Sequence, residues 1–202
     1  MIGLIDIGIG NTKSLHELIK KLRFDVKLCS EKNDFKNVTK IILPGVGAFG
    51  EFMKKLKEKK VFDEINLRVK DGCPILGICV GYQVMFEDCD EFGFHTGFKF
   101  LKGNIRKIMP MKKFKVPHVG WNNIKICKSD LLFDGLNNDK DFYFCHSYVS
   151  INNDKSDILT TTEYSSNFVS SIRKENIFGV QFHPEKSQEN GKKLIYNFVK
   201  YN

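Results

Sequence analysis

Short apolar runs alternate with amphipathic stretches through the first half of the chain. The segments "IGLIDI" (2–7), "DVKLC" (25–29), "KIILP" (40–44) and "PILGI" (74–78) have the length and hydrophobicity of buried strands. Helical patterns lie between them. "TKSLHELIKKL" (12–22) sets Leu15, Leu18, Ile19 and Leu22 on one face, with Asn11 at the capping position. "AFGEFMKKLKEKK" (48–60) does the same with Phe49, Phe52, Met53 and Leu56, and a third helix is predicted around 63–71. Strands alternating with helices imply crossover connections. The fold class is therefore α/β, with a mainly parallel central sheet flanked by helices and its chemistry at the carboxyl ends of the strands.

The second half changes character. "GFKFLKGNIRKI" (97–108), "KVPHVGWNNIKI" (115–126), "DFYFCHSYVS" (141–150), "DILTTTEY" (157–164), "NFVSSIRK" (167–174) and "IFGVQF" (177–182) are strand-like and often alternate, predicting antiparallel strands added to the parallel sheet. "SQENGKKLIYNFVKY" (187–201) reads as a last helix, with Ser187 as its cap and Glu189 in its first turn. No repeat, low-complexity tract or linker interrupts residues 1–202, which predicts a single domain.

Composition narrows the function. The net charge is +8, but the lysines are spread along helix faces and interrupted by acids. That argues against nucleic-acid binding and for a basic surface that attracts an anionic small molecule or an acidic protein. No apolar stretch is long enough to cross a bilayer and the start lacks a basic leader, so a cytoplasmic protein without membrane contact is expected. Six scattered cysteines without a C-x-x-C pair predict neither a disulfide framework nor a zinc site, and most are expected to be small buried hydrophobes.

One cysteine is placed differently. In "CPILGICVGYQVMF" (73–86), Gly77 and Gly81 flank Cys79 two residues away on each side. A strand turning directly into a helix this way lifts the middle side chain above the sheet, at a helix amino end that favours an anion. Cys79 is then a nucleophile held as a thiolate, with the N–H of Val80 as an oxyanion donor. The alternative is a buried cysteine at a packed strand–helix junction.

A nucleophile needs a base, and the histidines are His16, His95, His118, His146 and His183. His16 reads as a surface residue, His95 as a loop residue, and His118 and His146 as core or interface residues. His183 stands apart, because Pro184 keeps it out of helical conformation and an extended segment points Glu185 the same way. His-Pro-Glu thus supplies a base and the carboxylate that orients it, unless it is a strand end with a chance acid. "LPGVGAFG" (43–50) is a glycine-rich turn able to aim a peptide N–H outward as an oxyanion donor. As a phosphate-binding loop it lacks the Lys-Ser/Thr ending. "DIGIGN" is a weak dinucleotide fingerprint, since Lys13 stands where its third glycine belongs.

Taken in order, "IDIGIGNTKSL", "ILPGVGAF", "PILGICVGYQ", "GFKFLKGNIRKI", "VPHVGWN", "FYFCHSY" and "GVQFHPEKSQ" resemble the class I, triad-type glutamine amidotransferases. More closely, they resemble the glutaminase subunits of imidazole glycerol phosphate synthase. The resemblance implies Cys79 as nucleophile, His183 as acid–base and Glu185 as its orienter. It implies an oxyanion turn at Pro44, Gly45, Val46 and Gly47, and glutamine contacts at Gly47, Gln83, Ser147 and Tyr148. Asn11, Trp121, Tyr143 and Lys186 match positions facing a partner subunit, although Trp121 and Tyr143 also suit ordinary core positions. Val80 and Tyr82 replace the leucine and methionine common in the family, and "EDCDEFGFHTGFKF" departs from its usual acidic, glycine-rich stretch.

The family's chemistry needs no metal and no cofactor. L-Glutamine is the implied substrate and a (β/α)8-barrel cyclase the implied partner, because the motifs run nearly end to end and leave no second domain to use the ammonia. The histidine-pathway subunit is the leading expectation. The alternatives are a paralogue supplying ammonia for sugar amidation, a stand-alone cysteine hydrolase of the same fold, and a catalytically silent subunit.

Overall fold

The structure is a computed structural model that describes residues 1–111, 114–136 and 140–201. Lys112, Lys113, Asn137, Asn138, Asp139 and Asn202 lie outside the described residues. Strand β1 (Ile2–Ile5) leads through helix α1 (Thr12–Lys21) to β2 (Val26–Cys29), and β3 (Lys40–Gly45) follows. Helices α2 (Phe49–Glu58) and α3 (Phe62–Lys70) lead to β4 (Ile75–Cys79) and a single helical turn, α4 (Val80–Gln83). Then come β5 (Asp88–Cys89), β6 (His95–Thr96), β7 (Asn104–Lys107), β8 (His118–Asn123), β9 (Lys125–Ile126), β10 (Asp141–His146) and β11 (Tyr148–Ile151). Strands β12 (Ile158–Tyr164), β13 (Ser166–Lys174) and β14 (Ile177–Val180) and helix α5 (Gln188–Lys200) complete the order.

The large sheet runs β2-β1-β3-β4-β14-β13-β12-β9. Its first five strands are parallel and its last three antiparallel, as the change of pattern predicts. Strands β1, β4 and β14 are buried at every position, because helices cover a parallel sheet on both faces. Strand order reverses between β1 and β3. With right-handed crossovers, that reversal puts α1 and α2 on opposite faces. The predicted apolar stripes meet the core: Leu15 and Ile19 of α1, and Phe49, Phe52, Met53 and Leu56 of α2, are buried. Smaller sheets, β11-β7-β5-β6 and the β10-β8 ribbon, stand beside the large one.

Several expectations change. Residues 97–103 are not strand, because the N–H groups of Phe98, Lys99 and Phe100 bond to the carbonyls of Val84, Phe86 and Met85. The same bonds occupy acceptors that a longer helix after Cys79 would need, and α4 stops after one turn. Residues 141–150 split at Ser147 between two sheets. Asn11 and Ser187 hold the capping positions of α1 and α5, but their side chains bond elsewhere. Cys127 and Cys145 are exposed, against the expectation of buried thiols. Tyr82 is wholly buried against Gly179, and its hydroxyl lies 2.9 Å from Ser150 Oγ. Among the described residues, no helix is long and apolar enough to cross a membrane.

Candidate active site

The parallel strands deliver the site from one edge of the sheet. Asn11 follows β1, the Val46–Gly47 turn follows β3, Cys79 ends β4, and Gln181 to Glu185 follow β14. The register pairs Gly45 with Cys79 and Val180 with Ile78, so segments far apart in sequence arrive side by side. The junction of β10 and β11, Cys145 to Tyr148, forms the opposite wall.

Cys79 sits at φ 55° and ψ −109°, a strained backbone for a residue with a Cβ. Such strain costs about 1–3 kcal/mol and persists where packing leaves no alternative. Packing does so here. A Cβ on Gly81 would overlap the Leu43 carbonyl oxygen, and one on Gly77 would lie 2.6 Å from the Gly81 carbonyl oxygen. The backbones of β3, β4 and α4 therefore touch directly and hold Cys79 at the crest.

His183 reaches the sulfur. The two side chains line the same cavity, and the His183 Nδ1 lies 2.9 Å from Glu185 Oε1. Burial pulls the imidazolium down; the Cys79 thiolate, its hydrogen bond and Glu185 outweigh that and lift His183 to about 10. The geometry that presents Glu185 differs from the expected one. His183 is extended (φ −103°, ψ 95°), but Pro184–Lys186 forms a 3-10 turn that folds the carboxylate back onto the ring. Asn11 Nδ2 donates to the same Glu185 oxygen at 3.2 Å. The His183 N–H donates to the Tyr143 carbonyl at 2.8 Å, and Ser187 Oγ donates to the His183 carbonyl at 2.6 Å. Both peptide groups of the histidine are fixed.

Cys79 and His183 open onto a cavity of about 250 Å³. Val46, Gly47, Val80, Gln83, Ser147, Tyr148 and Lys186 line it as well. Gly45 does not: it is buried within β3, behind the turn. Gly47 has φ +94°, a left-handed backbone that glycine adopts without a Cβ penalty. Trp121, Tyr143 and Lys186 gather at the rim. Trp121 is 48% exposed, so it is not a core aromatic, and its ring meets Tyr143 edge-on at 6.2 Å. The Lys186 ammonium lies 5.3 Å from the Tyr143 ring centre.

Sequence reasoning missed four wall residues, Glu91, Pro117, Cys145 and His146. Glu91 accepts from the Phe49 N–H at 2.7 Å and so ties its loop to the start of α2. The signal was its acid between polar and aromatic neighbours, in the stretch where the family resemblance is weakest. His146 contacts His118, Nε2 to Nδ1 at 3.0 Å, and burial pushes the pair down to about 3 and about 4. By contrast, burial pushes the thiols of Cys29 and Cys89 up to about 11 and about 12, as expected of inert core cysteines.

A strained cysteine facing a His–Glu pair, beside a glycine turn on a mostly parallel sheet, defines the class as an α/β enzyme with a cysteine nucleophile. The family description "Glutamine amidotransferase class-I" matches residues 3–201, and the chain belongs to that family. Its relatives are more particular. The chain is 43% identical to "Imidazole glycerol phosphate synthase subunit HisH 2" of Methanococcus maripaludis, covering 99% of each chain. It is 41% identical to "Imidazole glycerol phosphate synthase subunit HisH" of Caldanaerobacter subterraneus, covering 98% of this chain and 97% of that one. Among solved structures it shares the fold of "PurLQS from Thermotoga maritima", with TM-score 0.75 and 17% identity over 99% of this chain and 97% of that chain. A putative GMP synthase subunit from Thermoplasma acidophilum matches with TM-score 0.72 and 21% identity over 98% of this chain and 91% of that chain.

Proposed function

We propose that this chain, acting as one domain, is the glutaminase subunit of an imidazole glycerol phosphate synthase. It hydrolyses L-glutamine to glutamate and ammonia and passes the ammonia to a (β/α)8-barrel cyclase in the cytoplasm. One observation carries the reading: Cys79 and His183 line one cavity of about 250 Å³, and Glu185 Oε1 lies 2.9 Å from the His183 Nδ1. The Cys79 thiolate attacks the glutamine side-chain carbonyl carbon, and the oxyanion takes N–H groups from Val80 and the Val46–Gly47 turn. The His183 imidazolium gives its proton to the departing nitrogen, and ammonia leaves. His183 then takes a proton from water as that water attacks the γ-glutamyl thioester, and glutamate departs with the thiolate restored.

Gly47, Gln83, Ser147 and Tyr148 hold the amino acid, and Glu91 is the wall carboxylate suited to its α-ammonium. Asn11, Trp121, Tyr143 and Lys186 form the partner-facing rim. The full-length relatives named as synthase subunits support the pathway. The test is glutamine hydrolysis with and without the cyclase and its nucleotide ligand. Turnover should rise on addition and vanish in Cys79→Ser; activity that survives in Cys79→Ser would overturn the reading.

A further inference from the structure

Beside the sulfur, running from the cavity wall into the interior, lies a buried pair of amides that the triad does not use. Gln181 is fully buried and Gln83 nearly so. Gln83 Nε2 donates to the Tyr148 carbonyl at 3.0 Å and lies 3.0 Å from Gln181 Oε1. Gln181 Nε2 in turn lies 3.8 Å from Cys79 Sγ. Side-chain amides are ambiguous until their partners settle which end is nitrogen. Here the order is forced from one end. The Tyr148 carbonyl can only accept, so Gln83 must present N–H to it. Gln83 Nε2 then points its second hydrogen at Gln181, which must answer with its oxygen. That leaves the Gln181 N–H facing the sulfur. Flipping Gln181 would set two NH2 groups against each other and turn an oxygen lone pair toward Cys79.

The sulfur meets two groups of opposite preference. The Cys145 carbonyl, 3.8 Å away, accepts from Sγ and so favours the thiol. A Gln181 N–H donates and so favours the thiolate. We propose that Gln181 is a fourth working residue of this site, an N–H donor whose direction is set by the Tyr148 carbonyl through Gln83 and which holds Cys79 as a thiolate aimed at His183. This rests on the reading of Cys79 as the nucleophile. It also assigns Gln83 a polarity. With both of its N–H groups engaged inside the wall, the acceptor Oε1 is what it has left for a ligand, and that suits an ammonium rather than a carboxylate.

The test is the pH dependence of iodoacetamide alkylation of the full chain, with Cys79 resolved from the other cysteines by peptide mass spectrometry. In Gln181→Met, of similar length but without N–H, the alkylation midpoint of Cys79 should move up by about one pH unit, so that alkylation on the acid side of the native midpoint slows roughly tenfold. Gln181→Glu keeps the volume and the acceptor that Gln83 needs, so it guards against a misfolded Met variant, and its midpoint should also rise. In the glutaminase assay with cyclase, kcat should fall, approaching roughly tenfold on the acid side of the pH profile, while KM changes little. A midpoint unchanged from the native protein in a folded variant would overturn the proposal. Alkylation reports on the sulfur whether or not it is the nucleophile, whereas activity retained in Cys79→Ser would sink the underlying reading alone.

Discussion

His183 shows how neighbours decide the chemistry of one side chain. Burial alone would leave a neutral imidazole, as it does for His118 and His146. Cys79 and Glu185 reverse the sign and hold the proton to about 10. The ring is therefore charged at neutral pH and ready to protonate a departing amine. In Cys79→Ala the largest raising influence is gone, so the His183 ring should titrate at lower pH by NMR; an unmoved titration would contradict the ion pair. Asn11 acts one step back, through its hydrogen bond to Glu185. Such a bond has a net worth of about 1 kcal/mol, so Asn11→Ala should lower kcat roughly fivefold. KM for glutamine should hold, because Asn11 does not line the cavity.

At the scale of elements, the contact of β3, β4 and α4 is closest at Gly81. Adding a methyl group there collides with backbone, which cannot swing aside as a flexible side chain would. Gly81→Ala should cost several kcal/mol, on the order of 4, in urea denaturation, and an unchanged midpoint would mean that the contact relaxes freely. The β8–β10 ribbon carries a different liability. His118 and His146 face each other across it and are buried neutral, below the ordinary value of 6.5. The unfolded chain binds protons there that the native state refuses, so stability falls as pH drops from 6.5. His183 has the opposite sign: its contribution is complete below 6.5 and is lost as pH climbs toward 10. Between pH 6.5 and 5 the buried His146 should contribute a loss of up to about 1.4 kcal/mol per unit. Urea midpoints across that range check it, and a flat profile on the acid side would rule out neutral buried histidines.

The whole molecule explains which features were legible in the chain. Periodicity predicted the parallel half because its strands, the edge strand β2 apart, are buried on both faces and their helices carry clean apolar stripes. Cys79, His183 and Glu185 were legible because strand-end glycines and a proline are local signals. Gln181 and Glu91 were not, since a buried amide and a loop acid acquire meaning only when β14 and the loop before β6 are brought against β4 and α2. The rim reads by the same logic. Trp121 and Tyr143 are ribbon partners whose rings project outward, continuous through Lys186 with the cavity wall. A half-exposed tryptophan packed on tyrosine under a lysine suits the centre of an interface with a partner, and a +8 chain favours an acidic face on that partner. Trp121→Ala should weaken association with the cyclase by about 2 kcal/mol, roughly thirtyfold in Kd, and raising salt should weaken the native complex further. Titration calorimetry measures both. Thermal stability of the isolated chain should be nearly unchanged, because little of the core depends on this ring. If Kd stays the same while the variant folds normally, the partner docks elsewhere and the rim has another purpose.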